Sequence, residues 1–153
     1  TAIPGIEVHT IQTLFSECGS DLSAFPTAGD FASWLGLCPD NRITGGKVLS
    51  TRTRKVVSPA ANALRMAAQS LHRNQSILGD FYRRMRYRQG PAKAITTVAP
   101  KLARIIHHLV TTGQPYDETV LAVHDQQNRA RKTRRLEAHA AALGFNLVPA
   151  TQA

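Results

Sequence analysis

Over most of its length the chain repeats its apolar residues at intervals of three and four, the mark of helices with one buried face. After a Pro4-Gly5 turn, Ile6, Val8, Ile11, Leu14 and Phe15 predict a helix that ends near Cys18-Gly19, where glycine supplies a C-terminal stop. Thr27 is a candidate N-cap for a brief helix through Phe31, Trp34 and Leu35, closed by Gly36. Trp34 is expected in the core beside Phe31 and Leu35. From 38 to 57 the period lapses. Pro39, Asp40, Asn41, Thr44, Gly45 and Gly46 are turn formers, and 47–55 alternates imperfectly, which predicts a loop, with a short two-stranded ribbon as the alternative.

Ser58-Pro59 is a helix start, a capping hydroxyl followed by proline at the first position. Ala60, Ala63, Leu64, Ala67, Ala68 and Leu71 then make a face of mostly small residues, suited to close helix packing. A second helix begins near Ser76 and sets Ile77, Leu78, Phe81, Tyr82 and Met85 on one side, with Arg83 and Arg86 opposite and Arg84 and Arg88 at the margins. Gly90-Pro91 punctuates. Ile95, Val98, Leu102, Ile105, Ile106 and Leu109 carry the strongest helical period in the chain, over about 91–112. Pro100 falls inside it and predicts a kink or two abutting helices. A last helical stretch starts at Asp117, but 124–135 (HDQQNRARKTRR) has no large apolar side chain, and the pattern resumes only from Leu136 to Leu143, before Gly144. The whole reads as mainly α, with one conspicuous basic loop.

Charge sharpens this picture. The net charge is +9 over 153 residues, but it is unevenly spread. Residues 1–40 carry −5, residues 41–113 carry +13 and residues 114–153 carry +1. A block as one-sided as the middle one repels itself unless a polyanion neutralises it, and nucleic acid is the obvious partner. An anionic membrane surface is second, without the amphipathic aromatic helix that would support it. No apolar run reaches the ~20 residues of a membrane span, and no secretory signal is visible. The chain opens on Thr1 and reads as beginning mid-protein. Cys18 and Cys38 are expected as free, partly buried thiols. No histidine pairs with cysteine at a zinc spacing, and the scattered acids make no metal constellation, so they read as solvated surface acids and no cofactor is expected in this chain.

The segment 39–55, PDNRITGGKVLSTRTRK, concentrates the chemistry. Arg42, Lys47, Arg52, Arg54 and Lys55 supply positive charge, and Thr44, Ser50, Thr51 and Thr53 supply hydroxyls. Backbone amides around Gly45 and Gly46 can approach an anion because no side chain blocks them. Cations, open amides and an alcohol are what phosphoryl chemistry asks of a protein. It is not a Walker loop, since Asn41 stands at the first glycine position and Val48 follows Lys47. A second basic cluster, Arg83, Arg84, Arg86 and Arg88, is interleaved with Tyr82 and Tyr87. It fits either a grip on a nucleic-acid backbone, with Tyr87 stacking on a base and Tyr82 in the core, or a solvated helix face. The run Arg129, Arg131, Lys132, Arg134, Arg135 fits RNA contact or a solvated face equally. His107 and His108 read as structural, one ring at a helix margin and the other exposed.

FASWLGLCPDN followed by GGKVLSTRTRK resembles the C-terminal transposase domain of the IS-one-ten/IS-one-sixteen insertion-sequence family, nearest its IS-eleven-eleven branch. AANALRMAAQSLHR, FYRRMRYRQGPAKAITTVAPKLARIIHHLVTTGQPY and the closing LGFNLVP extend the likeness over nearly the whole chain, and IPGI resembles the family's helix-hairpin-helix-like start. The resemblance implies a compact helical domain with a helix-hairpin-helix-like segment over 1–37, the transposase domain with its basic catalytic-type loop over 38–116, and a basic helical extension over 117–153. It implies a bacterial, cytoplasmic, nucleoid-associated recombinase acting on DNA, with a structured guide RNA as a partner in several members. An N-terminal RuvC-like domain elsewhere in such proteins holds Mg2+ on a carboxylate cluster, and activity needs both domains together in a homo-oligomer.

In this family a serine five residues past the proline of the LCP-like motif attacks DNA and becomes linked to a phosphate. Here that position is Thr44, whose methyl group crowds the oxygen and stiffens the side chain. Three readings stay open: Thr44 as working nucleophile, an inactive copy, or Ser50 as the attacking group. Glu7 follows PGI where the family often has glycine, which weakens a phosphate contact at that turn. On this reading the fragment alone binds nucleic acid and catalyses nothing. The alternative is a non-catalytic nucleic-acid-binding remnant or domesticated module.

Overall fold

The computed structural model describes residues 3–39, 42–45, 47–50, 53 and 56–146, with the backbone alone for residues 42, 43, 47–50, 120–122, 124, 125, 128, 129 and 132. It is mainly helical. α1 (Val8–Cys18) and α2 (Ala28–Trp34) come first, followed by the short strands β1 (Arg42–Thr44) and β2 (Lys47–Ser50). Then come α3 (Pro59–Ser70), a 3₁₀ turn (Leu71–Arg73), α4 (Ile77–Gln89), α5 (Pro91–Thr112) and α6 (Glu118–Ala142). The chain divides into two compact units, Thr1–Tyr116 and Asp117–Ala153.

The helix starts follow their capping chemistry. Thr27 and Asp30 form a reciprocal capping box on α2, the Asp30 backbone N–H donating to Thr27 Oγ1 while the Thr27 N–H donates to the Asp30 carboxylate. Ser58 caps α3 through the Ala61 N–H at 3.0 Å, with Pro59 at the first helical position. Ser76 caps α4 through the Gly79 N–H at 3.1 Å.

In the first unit α5 is the element that α2, α3 and α4 share. Val98, Ala99, Leu102 and Ala103 have no solvent exposure, and Leu64, Ala60, Ala61 and Ala68 of α3 are likewise sealed. The alanines let helix backbones approach closely, so the larger Leu14, Phe31, Leu35, Leu78 and Leu102 fill the core between them. Pro100 does not divide α5: one helix runs from Pro91 to Thr112 with Pro100 buried inside it. Proline removes one backbone hydrogen bond at a cost of about 3 kcal/mol. Burial of Val98, Leu102 and Ile106 around it, each contributing about 1.5–3 kcal/mol, outweighs that loss.

Trp34 departs from the core position expected for it. Phe25 occupies the place against Phe31, with ring centroids 5.2 Å apart, and Trp34 lies against Phe25 at 5.3 Å, with 47% of its surface exposed. His107 is buried, and its Nε2–H donates to the Phe25 carbonyl at 2.9 Å, while His108 is exposed. Since a carbonyl only accepts, this bond requires the proton on Nε2. Cys18 and Cys38 are free and half-buried.

The second unit is built on α6, which passes without a break through the polar stretch 124–135. Arginine, glutamine, lysine and alanine are strong helix formers, so an apolar face is not required for the helix to continue. Asp117 caps it, accepting from the Thr119 N–H at 2.8 Å and the Thr119 hydroxyl at 2.7 Å. These bonds hold its carboxyl below the ordinary carboxylate pKa. The helix closes where the Phe145 N–H donates to the Ala140 carbonyl at 2.9 Å.

Candidate nucleic-acid interface

The basic segment after α2 is carried by a hairpin whose two ends are both fixed to the helical frame. At the leading end, Leu35 and Leu37 are buried, and Gly36 between them has φ +67°. A Cβ at Gly36 would lie 2.6 Å from Val56 Cγ2 and 2.8 Å from Val56 Cβ, so only glycine lets the outgoing and returning chains pass each other here. Pro39 and Thr53 then form an isolated antiparallel bridge that makes a neck.

Above the neck, β1 and β2 pair antiparallel, with Thr44 opposite Lys47, Ile43 opposite Val48 and Arg42 opposite Ser50. An irregularity between Arg42 and Ile43 is the signature of a bulge, which absorbs one extra residue of β2. This accounts for the imperfect alternation of KVLS: the ladder skips a step instead of keeping period two. Thr44 is exposed beside Gly45, whose φ of +57° fits the first residue of a two-residue hairpin turn. The register thus puts the two candidate nucleophiles at different ends of the ladder. Thr44 sits at the tip and Ser50 lies two residues down, about 7 Å away along the strand.

At the trailing end the hairpin returns into α3 through a contact absent from any local pattern. The Glu17 carboxylate, from α1, accepts from the Ser58 hydroxyl at 2.7 Å and from the Ala60 N–H at 3.1 Å. It satisfies an otherwise orphaned amide at the start of α3 and places negative charge at the positive end of the helix. Glu17 is therefore not the solvated surface acid its sequence context suggests.

The arginine cluster of α4 is divided by its neighbours. Arg83 turns back onto the 3₁₀ turn: its Nη1 donates to the Asn74 carbonyl at 2.7 Å and the His72 carbonyl at 3.3 Å, and Nη2 pairs with Asp80. Far from projecting freely opposite the apolar face, it closes the end of the 3₁₀ turn. Arg86 Nη1 lies 2.7 Å from His72 Nε2. Arg84 stands 5.6 Å from the Phe81 ring centroid, and Lys101 of α5 stands 4.2 Å from the same ring. Arg88 and Tyr87 are exposed, Tyr87 almost completely, while Tyr82 is buried. From α3 through α5 there are nine Lys or Arg residues and one acid, Asp80, and Asp80 is already paired.

Of the residues singled out by sequence, Arg42, Thr44, Lys47 and Ser50 share the hairpin and flank or include its turn residue Gly45. Gly46, Arg52, Arg54 and Lys55 lie outside the described residues. Arg83, Arg84, Arg86 and Arg88 are grouped on α4 instead. Among the described residues no three His, Cys, Asp or Glu side chains come together as a metal site, and no helix is long and apolar enough to cross a membrane. Sequence reasoning missed Arg73 and Lys101, which extend the basic surface of α4 onto the 3₁₀ turn and α5. Their isolation among apolar and neutral residues hid them, since neither belongs to a charge run.

Comparison with known proteins adds a lineage to this geometry. The Transposase IS116/IS110/IS902 family model matches residues 1–83. A relative from Sinorhizobium fredii, named "Putative transposase y4pF/y4sB", is 32% identical over 125 residues, an alignment that covers 74% of this chain and 31% of the relative. The chain thus spans about a third of the length of that curated relative. No solved structure matches.

Proposed function

The chain belongs to the Transposase IS116/IS110/IS902 family, and on that premise we propose that it is the C-terminal DNA-handling and strand-transfer part of an insertion-sequence recombinase. The observation that carries this reading is the hairpin register: an exposed hydroxyl, Thr44, stands at the tip beside Gly45 and opposite Lys47. A phosphodiester laid across the tip would meet an alcohol next to a lysine position and a turn of glycines. Arg42 and Lys47 from the strands, with Arg52, Arg54 and Lys55 from the same segment, would hold the backbone by charge, and the open amides of Gly45 and Gly46 would donate to it. Arg84, Arg86 and Arg88 would extend the grip along α4. Arg83 contributes less to it, because its donors already serve the 3₁₀ turn.

In the reaction, the Thr44 Oγ1–P bond forms as a bridging P–O bond to one deoxyribose breaks. The proton lost by the hydroxyl balances the one taken up by the departing oxygen. Mg2+, held on carboxylates of an N-terminal RuvC-like domain, would supply charge stabilisation of the phosphorane-like transition state. The residues here position DNA and provide the nucleophile, and activity would require that domain, within a homo-oligomer and with a guide RNA where the element encodes one. Ser50 is the runner-up nucleophile, favoured by its pairing with Arg42 across the bulge. A nucleic-acid-binding remnant without chemistry is the remaining alternative.

The test combines this chain with a RuvC-like half and a suicide DNA substrate. A covalent protein–DNA adduct that disappears in Thr44→Ala and persists in Ser50→Ala is the expected result. The reverse pattern moves the nucleophile to Ser50. Absence of any adduct, with binding intact, leaves the non-catalytic module. Charge reversal at Arg52 and Arg54 should weaken binding and flatten its salt dependence, and an unchanged slope would remove this segment from the interface.

A further inference from the structure

Where α3, the 3₁₀ turn, α4 and the start of α5 meet, the first unit holds an open cleft of about 470 Å³, within the range of pockets that take small organic groups. Its lining separates by chemistry. Met66, Pro91 and Ile95 supply apolar contact, while Arg73 and Arg86 supply positive charge and hydrogen-bond donors. No carboxylate lines it. Met66 is the unusual member: α3 buries its alanines and Leu64, yet this thioether is 60% exposed on the cleft wall. A flexible, polarisable side chain left in water gains most from a flat aromatic partner.

Arg86 is pre-oriented. Its Nη1 donates to His72 at 2.7 Å, which uses one of five guanidinium N–H groups and leaves the others for a ligand. The Arg73 side chain is exposed and pairs with no acid among the described residues, so its charge is available to a ligand. The nearest acid in sequence, Asp80, is occupied by Arg83.

We propose that this cleft receives one unpaired nucleotide of the bound nucleic acid, its base against Met66, Pro91 and Ile95 and its phosphate on Arg73 and Arg86. The inference rests on the reading that this domain binds nucleic acid, and it deepens that reading. An anion alone would leave the apolar wall without a function. An intact duplex offers only base edges, because its base faces are stacked, so a cleft that uses faces selects an unstacked base.

The chain contains two methionines, Met66 and Met85, and Met85 lies outside the cleft, where it accepts a hydrogen bond from Gln89. Methyl-13C-methionine NMR therefore carries its own control. The ligands are a DNA duplex with a single bulged adenosine and the same duplex with an abasic bulge. We expect the bulged base to move the Met66 methyl resonance and leave Met85 in place, and to bind about tenfold more tightly than the abasic duplex. Arg73→Gln and Met66→Ala, both at exposed positions, should each erase most of that tenfold preference. Equal affinity for the two duplexes, or a Met66 signal indifferent to the base, overturns the cleft. If such equal binding is still lost on charge reversal at Arg52 and Arg54, the domain's grip on nucleic acid stands and only the cleft fails. Binding of neither duplex overturns both.

Discussion

The two longest helices, α5 with 22 residues and α6 with 25, reach similar lengths by opposite means. α5 buries eight residues, Pro100 among them, and three other helices pack on it. α6 buries none of its described side chains, and its exposed Val123 and Leu136 form no sealed face. Over the described side chains, one helix is therefore sustained by tertiary packing that tolerates a helix breaker, the other by residue propensity and its end caps. A change in the α5 frame should propagate through the whole first unit, whereas a change in α6 should stay local.

The largest expected effect lies where two backbones touch. A Cβ at Gly79, in the first turn of α4, would lie 2.0 Å from the Asn74 carbonyl oxygen and 3.1 Å from that of Leu71. Neither atom is the end of a movable side chain, so Gly79→Ala should cost at least about 3 kcal/mol. By thermal circular dichroism the melting temperature should fall by roughly 10–20 °C. A shift of only a degree or two would mean that α4 moves freely on the 3₁₀ turn, and the frame would be less unified than described.

Next is Glu17→Ala, which strips two acceptors from the start of α3. A loss of about 1–2 kcal/mol in urea unfolding is expected, with Glu17→Gln recovering part of it because the amide oxygen still accepts. Equal losses for both variants would show that the charge, not the hydrogen bonding, ties α1 to α3. The smallest effect should come from Leu136→Ala on α6, within about 0.5 kcal/mol, because that residue is already 62% exposed. A clearly larger loss would contradict the comparison by revealing that α6 buries this residue in an assembly.

How much of this was legible beforehand follows from the range of each interaction. Starts such as Thr27, Ser58-Pro59 and Ser76 act within three residues, and the sequence displays them directly. The period of α5 was equally plain, but the fate of Pro100 was not, because it depends on burial by other helices. Glu17 reaches residues 41 and 43 positions away, and Gly79 answers to a carbonyl that approaches from outside its own helix. No local pattern encodes either. In the candidate site, charge and turn chemistry pointed to the segment 39–55, whereas its register required the pairing itself. The bulge breaks the alternation that would otherwise reveal which residue faces which. The division of labour within the α4 arginines was hidden for the same reason, since the carbonyls served by Arg83 belong to residues 9 and 11 positions upstream.

The pinch formed by Gly36 against Val56, with Pro39 bridged to Thr53, has an evolutionary corollary. Because both ends of the excursion are clamped at one spot, whatever lies beyond can be lengthened, shortened or rewritten without disturbing the scaffold. If the tip grips nucleic acid as proposed, selection can tune its reach and sequence preference as an interchangeable cartridge, while the socket stays constant.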